Sequence, residues 1–414
     1  MINYRNIIAT IVLLSSFLLA SSQVGKKLGA KEYISSGYYK KAIEVNEDEK
    51  DSLFMYANKG LSYLKLHAYK KAYQNFNNVS SRINQLPNEY KIAYFETLRV
   101  LEENQKAENL IDQLGEEYNN NYEGFIKYPQ EKHKNAQFSE LEKVNVDFGA
   151  YFMGLSANND ELIITKAEDN VYDIYKWSRK DNSSKRIFNK ISNVKYRANP
   201  SFLDDNKFFY VKSTQPKNKI FQGKKSNKSN PLKLYFFDGS KEESIEEINN
   251  GFYNVVTPFY WKDRDILFFS ANQENEDFDI YYVTRKNQSW SKPIKIDQVN
   301  SPFDEVYPFL HENKLYFSSK GHNNLGGLDV FSIAFEETGG GITFESSVVN
   351  LGEPLNSSYD DFSLVWLDEN QGFVASNRSS NGKDELFEFS YTKTLKLKGL
   401  VVNTSNKPVE ANIE

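Results

Sequence analysis

Few residues in this chain are able to do nucleophilic or metal chemistry. It has no cysteine and four histidines, His67, His133, His311 and His322. The lack of cysteine removes a thiolate nucleophile, a disulfide framework and a Cys-based metal site, and leaves the compartment undecided. No two histidines share a metal-ligand spacing, and no H-E-x-x-H occurs. His67 falls near a helix turn and the other three in loop-like stretches, so all four read as surface residues. G-x-S-x-G is absent, which leaves a hydrolase nucleophile elbow unsupported. P-loop and dinucleotide fingerprints are absent too. Gly339 to Gly341 opens no helix and reads as a flexible turn.

Carboxylates offer the one remaining route to catalysis. Asp304-Glu305 and Asp360-Asp361 hold equivalent places in successive copies of a repeated segment. Paired acids around a propeller channel are what glycoside hydrolysis requires. The equivalent places in other copies hold Arg197-Ala198 and Asn254-Val255, so an acid that caps a turn explains the pattern better. Lys212, Lys217, Lys219, Lys224, Lys225 and Lys228 crowd one long loop, which reads as a solvated hairpin extension, with contact to an acidic partner as the alternative. The acidic turn NQENEDFD lacks the D-x-[DN]-x-[DN]-G calcium pattern. No catalytic residue, cofactor ligand or metal ligand is assigned, and no cofactor is expected.

The elements around these residues fall into two regimes. Residues 26–118 show helical spacing. The best stretch is Tyr56, Gly60, Tyr63, Tyr69, Ala72 and Phe76, with partial copies at Ala30, Tyr33, Tyr39, Ala42 and at Phe95, Leu98, Ala107, Ile111. This spacing resembles tetratricopeptide repeats, which stack into a concave protein-binding surface. A plain helical bundle is the alternative. Residues 119–138 read as a linker. From 139 to 393 the pattern is strands, in five units starting at 147, 197, 254, 304 and 360. Each has a short first strand, an apolar second strand such as Leu315 to Ser319, a third opening on Asp-aliphatic-aromatic, and a short fourth. The Gly- and Asn-rich turn Gly321 to Gly327 is read as supplying positive φ. All-strand units of about 50 residues predict the blades of a five-bladed β-propeller. The fifth unit lacks its own fourth strand. SELEKVN before the first unit matches SKPIKIDQVN before the fourth, so Ser139 to Asn145 is expected to close the ring.

Composition agrees with this division. Aromatics are 15% of the 414 residues, which favours strands, and a net charge of −5 gives no basic field for nucleic acid. Arg5, the apolar run Ile7 to Ala20, and the small residues Ala20, Ser21 and Ser22 match a cleaved secretory signal peptide over residues 1–22. No cysteine follows that run to carry a lipid.

Asp147-Phe148-Gly149, Asp360-Asp361-Phe362, and Ser376-Asn377-Arg378 leading to Leu386-Phe387 carry a family likeness. They resemble the WD-like, TolB-type propeller repeats of OmpA-family envelope proteins in the Bacteroidota, which include a periplasmic component of the type IX secretion machinery. In that family the order is signal peptide, tetratricopeptide repeats, propeller, carboxypeptidase-regulatory-like β-sandwich and OmpA-like domain. The resemblance makes 394–414, beginning LKLKGLVVNTSNKPVE, the start of the sandwich. The OmpA-like domain is not among these residues, so peptidoglycan binding is carried over to none of them. The resemblance implies a non-enzymatic periplasmic scaffold associated with the outer membrane, with envelope or secretion proteins as partners and no nucleic acid. A carbohydrate-active or glycan-binding propeller is the alternative.

Overall fold

The computed structural model describes residues 29–35, 38–46, 51–111, 113–114, 125, 128–129, 134–146, 152–158, 161–168, 171–188, 196–204, 206–213, 231–274, 276–338, 341–379, 383–393 and 407. The signal-peptide and β-sandwich segments lie outside these residues (Lys407 apart). So do Asp147-Phe148-Gly149, His133 and the lysines of the long loop other than Lys212.

Six helices form three consecutive hairpins: α1 (Ala30–Ser35) with α2 (Tyr39–Val45), α3 (Ser52–Lys65) with α4 (Tyr69–Asn77), and α5 (Asn88–Val100) with α6 (Asn104–Ile111). The Asp51 carboxylate caps α3 by accepting from Leu53 N–H at 2.8 Å, which satisfies one of the donors a helix start leaves open. Leu53, Ala57, Leu61 and Leu64 recur at helical spacing and are buried on one face of α3. Gly60 is required by the pairing of α3 with α4. A Cβ there would sit 2.9 Å from the Phe76 ring, which is fully buried. A polar chain joins the hairpins: Asn58 Nδ2 donates to Asn46 Oδ1 at 3.3 Å, and Tyr90 OH donates to Asn58 Oδ1 at 2.7 Å.

The strands form five antiparallel sheets in sequence order. Blade I holds β2 (Phe152–Asn158), β3 (Glu161–Glu168), β4 (Val171–Ser178) and β5 (Ser183–Arg186). Blade II holds β6 (Arg197–Asp204), β7 (Lys207–Ser213), β8 (Leu232–Phe237) and β9 (Glu242–Ser244). Blade III holds β10 (Asn254–Trp261), β11 (Ile266–Asn272), β12 (Asp279–Lys286), β13 (Ser289–Trp290) and β14 (Ile294–Lys295). Blade IV holds β15 (Glu305–His311), β16 (Lys314–Ser319), β17 (Asp329–Thr338), β18 (Gly341–Phe344) and β19 (Val349–Asn350). Blade V holds β20 (Asp361–Trp366), β21 (Gln371–Ser376) and β22 (Glu385–Ser390). Its fourth strand is β1 (Glu142–Lys143), which pairs Glu142 with Glu388 and Lys143 with Phe387. The ring closes as the SELEKVN match led one to expect. A short helix, α7 (Glu246–Asn249), joins blades II and III.

The first strands are not short. They run from six to eight residues, as the second strands do, because each carries a register-shifting bulge that bends it without ending it. Pro200, Pro258 and Pro308 sit inside these bulges, where the ladder asks no N–H of them. Facing sheets bury aromatics between blades; Phe268, Phe317 and Phe331 share one such layer.

Candidate functional site

The acid pairs sit where one blade meets the next. Asp304 Oδ1 accepts from Phe278 N–H at 3.1 Å and Asp360 Oδ1 from Leu328 N–H at 2.9 Å, each the entry to the third strand of the preceding blade. Asn254 does the same for Leu232 N–H at 3.0 Å. The position is thus an inter-blade clasp that Asn or Asp serves equally. This corrects the reading of Asp304 and Asp360 as caps of their own turns. Capping falls to the next residue: Glu305 accepts from Ser301 N–H, and Asp361 from Ser357 N–H.

Just upstream, Asn249, Asn300 and Asn356 each bind one third-strand residue twice. Each accepts from and donates to the backbone of Leu234, Ile280 or Val330, as a neighbouring strand would, at 2.6–2.9 Å. Sequence reasoning missed these asparagines. The signal that would find them is an Asn four or five residues before each clasp, at 249/254, 300/304 and 356/360.

Asp360 has a second role, because the helical hairpins dock on it. Its Oδ2 lies 2.9 Å from His67 Nδ1, 2.9 Å from Tyr69 OH and 2.8 Å from Asn377 Nδ2. His67 comes from the turn between α3 and α4, where it adopts a φ of 54°, and Tyr69 is the first residue of α4. Burial works against ionising Asp360. The His67 hydrogen bond and charge outweigh it and hold the carboxyl well below its usual range. Burial also opposes the charge on His67, and the Asp360 contact overcomes it and raises the imidazole pKa. Both shifts favour the ionised pair. Around it, Tyr69 meets Tyr359 edge-on with centroids 5.6 Å apart, and Phe125 meets Phe303 at 5.4 Å. Arg99 on α5 donates to Asn324 O of the blade IV loop at 3.3 Å. That loop packs closely on the entry of blade V because Gly326 and Gly327 carry no side chain. A Cβ on either would strike the Ser358 backbone or the Asp360 carboxylate. Neither glycine has positive φ, so close approach, and not turn geometry, explains them.

The channel is a separate place. Gly154, Asn199, Thr257, Tyr307 and Ser363, one from each inner strand, all have positive φ. Four are not glycine, and a β-branched residue such as Thr257 at 46° is a costly choice. Five-fold recurrence at the bulges ties the strain to bending of the inner strands. Hydroxyls brace it: Ser363 Oγ accepts from Leu155 N–H at 2.8 Å and Thr257 Oγ1 from Tyr307 N–H at 3.2 Å. These residues line a cavity of about 30 Å³, and none of the described residues lining it is a carboxylate.

No protein-family model and no curated protein matches the chain. Solved structures similar to it include TolB from Acinetobacter baumannii, at 14% identity and a TM-score of 0.35, covering 58% of this chain and 54% of that one. They also include CoXyl43, a GH43 β-xylosidase/α-arabinofuranosidase from a compost microbial metagenome, at 10% identity and a TM-score of 0.39, covering 66% of this chain and 97% of that one. The chain spans about half the length of the TolB structure. Both scores lie below 0.5, so these likenesses carry no argument, and the five-bladed assignment rests on the strand pairing above. Among the described residues, no helix is long and apolar enough to cross a membrane.

The three histidines among the described residues are half-buried and each has a partner, which corrects the reading of them as surface residues. His67 is walled into the junction, His311 stacks on Trp366 with ring centroids 4.6 Å apart, and His322 Nε2 contacts Val299 O at 2.8 Å. Ser376-Asn377-Arg378 also proves structural: Asn377 holds Asp360, while Arg378 clamps Asp361 and donates to Pro354 O at 2.7 Å. Lys212 pairs with Glu242 and lies over the Tyr235 ring.

Two buried acids run opposite to Asp360. Burial pushes Glu305 and Asp329 up to about 8. Asp329 Oδ2 accepts from Leu325 N–H and Asn350 Nδ2, while Oδ1 has no hydrogen-bond partner among the described residues. An acid with a raised native pKa keeps its proton where the unfolded chain has lost it. Stability therefore falls as pH rises from about 4 towards 8. Asp329→Asn mimics the protonated acid and keeps both accepted bonds. It is expected to match the parent near pH 3.5 and to exceed it by about 1 kcal/mol or more at pH 9. Urea melts at the two pH values check this, and equal losses in both proteins would refute it.

Proposed function

We propose that the chain is a non-enzymatic interaction scaffold of a bacterial envelope, with helical repeats held rigidly on a propeller. The observation that supports this most is the junction itself. Asp360 uses both carboxylate oxygens on structural donors and is occupied in joining the two halves. Helical hairpins and blades both offer broad surfaces to other proteins. In this reading the hairpins are tetratricopeptide repeats, residues 1–22 direct export and are removed, and 394–414 begin a β-sandwich. The protein works in the periplasm against the outer membrane. Its partners are envelope proteins, those of type IX secretion first among them, and cell-wall anchoring belongs to an OmpA-like domain. These finer assignments are supported by the sequence resemblance. Cell fractionation should find a mature chain starting near Gln23 outside the cytoplasm, and in-cell cross-linking should trap it in an assembly that persists in Asp304→Asn. Intact Met1 on a cytosolic protein would overturn the envelope reading. Hydrolysis of aryl xylosides or arabinosides that disappears in Asp304→Asn would replace the scaffold with a glycosidase.

A further inference from the structure

Four of the five third strands carry an acid near their start, and three of those acids are answered from within their own blade. Asp173 pairs with Arg186, Asp279 with Lys295 at 2.7 Å, and Glu385 with Lys143. The base stands at one register position, on the fourth strand, opposite the residue two beyond the acid. Arg186 pairs with Tyr175, Lys295 with Tyr281 and Lys143 with Phe387. Blade II has Lys233 in place of the acid and Ser244 in place of the base. Blade IV keeps the acid, Asp329, but the residue paired with Phe331 is the neutral Asn350.

Asp329 is fully buried. Its Oδ2 accepts from Asn350 Nδ2 at 2.7 Å and from Leu325 N–H at 2.8 Å, and neither donor carries a charge. A buried carboxylate without a counter-charge is costly. A base reaches the same spot from outside the blade. The Leu325 N–H belongs to one peptide group with the Asn324 carbonyl, and that carbonyl accepts from Arg99 Nη2 of α5 at 3.3 Å. Guanidinium and carboxylate thus hold opposite ends of a single amide, where each hydrogen bond polarises the group and strengthens the other. Arg99 is buried and donates to Asn324 Oδ1 as well. The other charged groups around Asp329 have partners of their own. Arg378 clamps Asp361 of blade V. Ser319, across the sheet from Asp329, donates to Glu305, and the adjoining Lys320 pairs with Asp304.

We propose that Arg99 is the base that blade IV lacks, a helix residue acting on Asp329 through the Asn324–Leu325 peptide where blades I, III and V use a residue of their own fourth strand. The helices then complete blade IV electrically, and a displacement of α5 is felt at Asp329 as a lost counter-charge. The Arg99 charge favours the ionised acid, and the Asp361 charge opposes it. The inference does not depend on the scaffold reading.

Urea melts of the full chain across the alkaline range test this. As pH rises, the parent loses stability relative to Asp329→Asn until the folded acid ionises, at about 8, and the gap then stops growing. Arg99→Gln keeps a donor for the Asn324 carbonyl but no charge. Measured between Arg99→Gln and Arg99→Gln with Asp329→Asn, the gap should stop growing at a higher pH, by about half a unit or more, roughly a three-fold change in ionisation. In Arg99→Lys, which keeps the charge, the same comparison should stay close to the parent. A merely structural arginine would lower stability without moving this pH. If Arg99→Gln does not fold at pH 9, adding Asp329→Asn should restore folding, because removing the acid removes the need for the base. An unmoved plateau, an equal displacement by lysine and glutamine, or a double variant that stays unfolded would each overturn the proposal.

Discussion

Replacing Phe138 with alanine is expected to destabilise the chain by about 3–5 kcal/mol, the usual cost of emptying a buried phenylalanine site. Phe138 precedes every strand of the five sheets, the closing strand included. It is nonetheless buried among residues more than 220 positions away, with ring centroids 5.4 Å from Phe389, 5.1 Å from Tyr391 and 6.2 Å from Trp366. Backbone bonds fasten the same segment at several points. Asn135 N–H donates to Glu353 O at 2.7 Å, Ser139 N–H to Ser390 O at 2.9 Å and Val144 N–H to Leu386 O at 2.9 Å. Side chains extend the seam to blade I, where Arg179 binds both oxygens of Glu388 and Asn182 Nδ2 donates to Asn145 O at 3.0 Å. Losing the ring loosens the one place where the two ends of the propeller meet. A fall in melting temperature on the order of 10 °C should follow. A truncated chain starting at Asp147 should melt well below one starting at Lys134, and should self-associate through the uncovered edge of β22. If Phe138→Ala melts with the parent and both truncated chains melt together as monomers, the seam does not hold the ring.

What the sequence shows and what it hides divide along sequence separation. Second and third strands are legible because their signals are local: apolar runs such as Leu315 to Ser319, and Asp329-Val330-Phe331 opening a strand. Closure is legible because one repeat can be laid over another, SELEKVN over SKPIKIDQVN. The channel residues are not legible. Nothing in Asn199, Thr257, Tyr307 or Ser363 as types announces positive φ; the inner-strand bend imposes it, and neighbouring hydroxyls make it tolerable. The junction is hidden for a different reason. His67 lies in a helix turn that looks solvated until Asp360, 293 residues later, is folded against it. An acid repeated in two blades reads as a capping consensus. That Asp360 also anchors the helices, while Asp304 faces Lys320, follows only from which blades the hairpins cover.

That difference between the two acids gives the second large effect. Asp360→Ala removes the acceptor shared by His67, Tyr69, Asn377 and the Leu328 N–H. Breaking a buried ionised pair from one side costs about 3–5 kcal/mol, because the abandoned partner stays buried without its counter-charge. The cost should depend on pH in a fixed direction. The Asp360 pKa is depressed, so its contribution is present above the unfolded value near 4 and is lost as pH falls through the lower folded value. The His67 pKa is raised, so its contribution is full below about 6.5 and is lost as pH rises through the higher folded value. The difference between parent and variant should therefore be greatest between about pH 4 and 6.5 and should shrink on either side. His67→Ala should show the same window with a smaller loss, since Tyr69 and Asn377 still serve Asp360. The two changes together should cost less than their sum, with a coupling of about 0.5–3 kcal/mol. Limited proteolysis should cut between the helices and the propeller faster in both variants. Strictly additive losses that ignore pH would mean that His67 and Asp360 are neighbours without being partners.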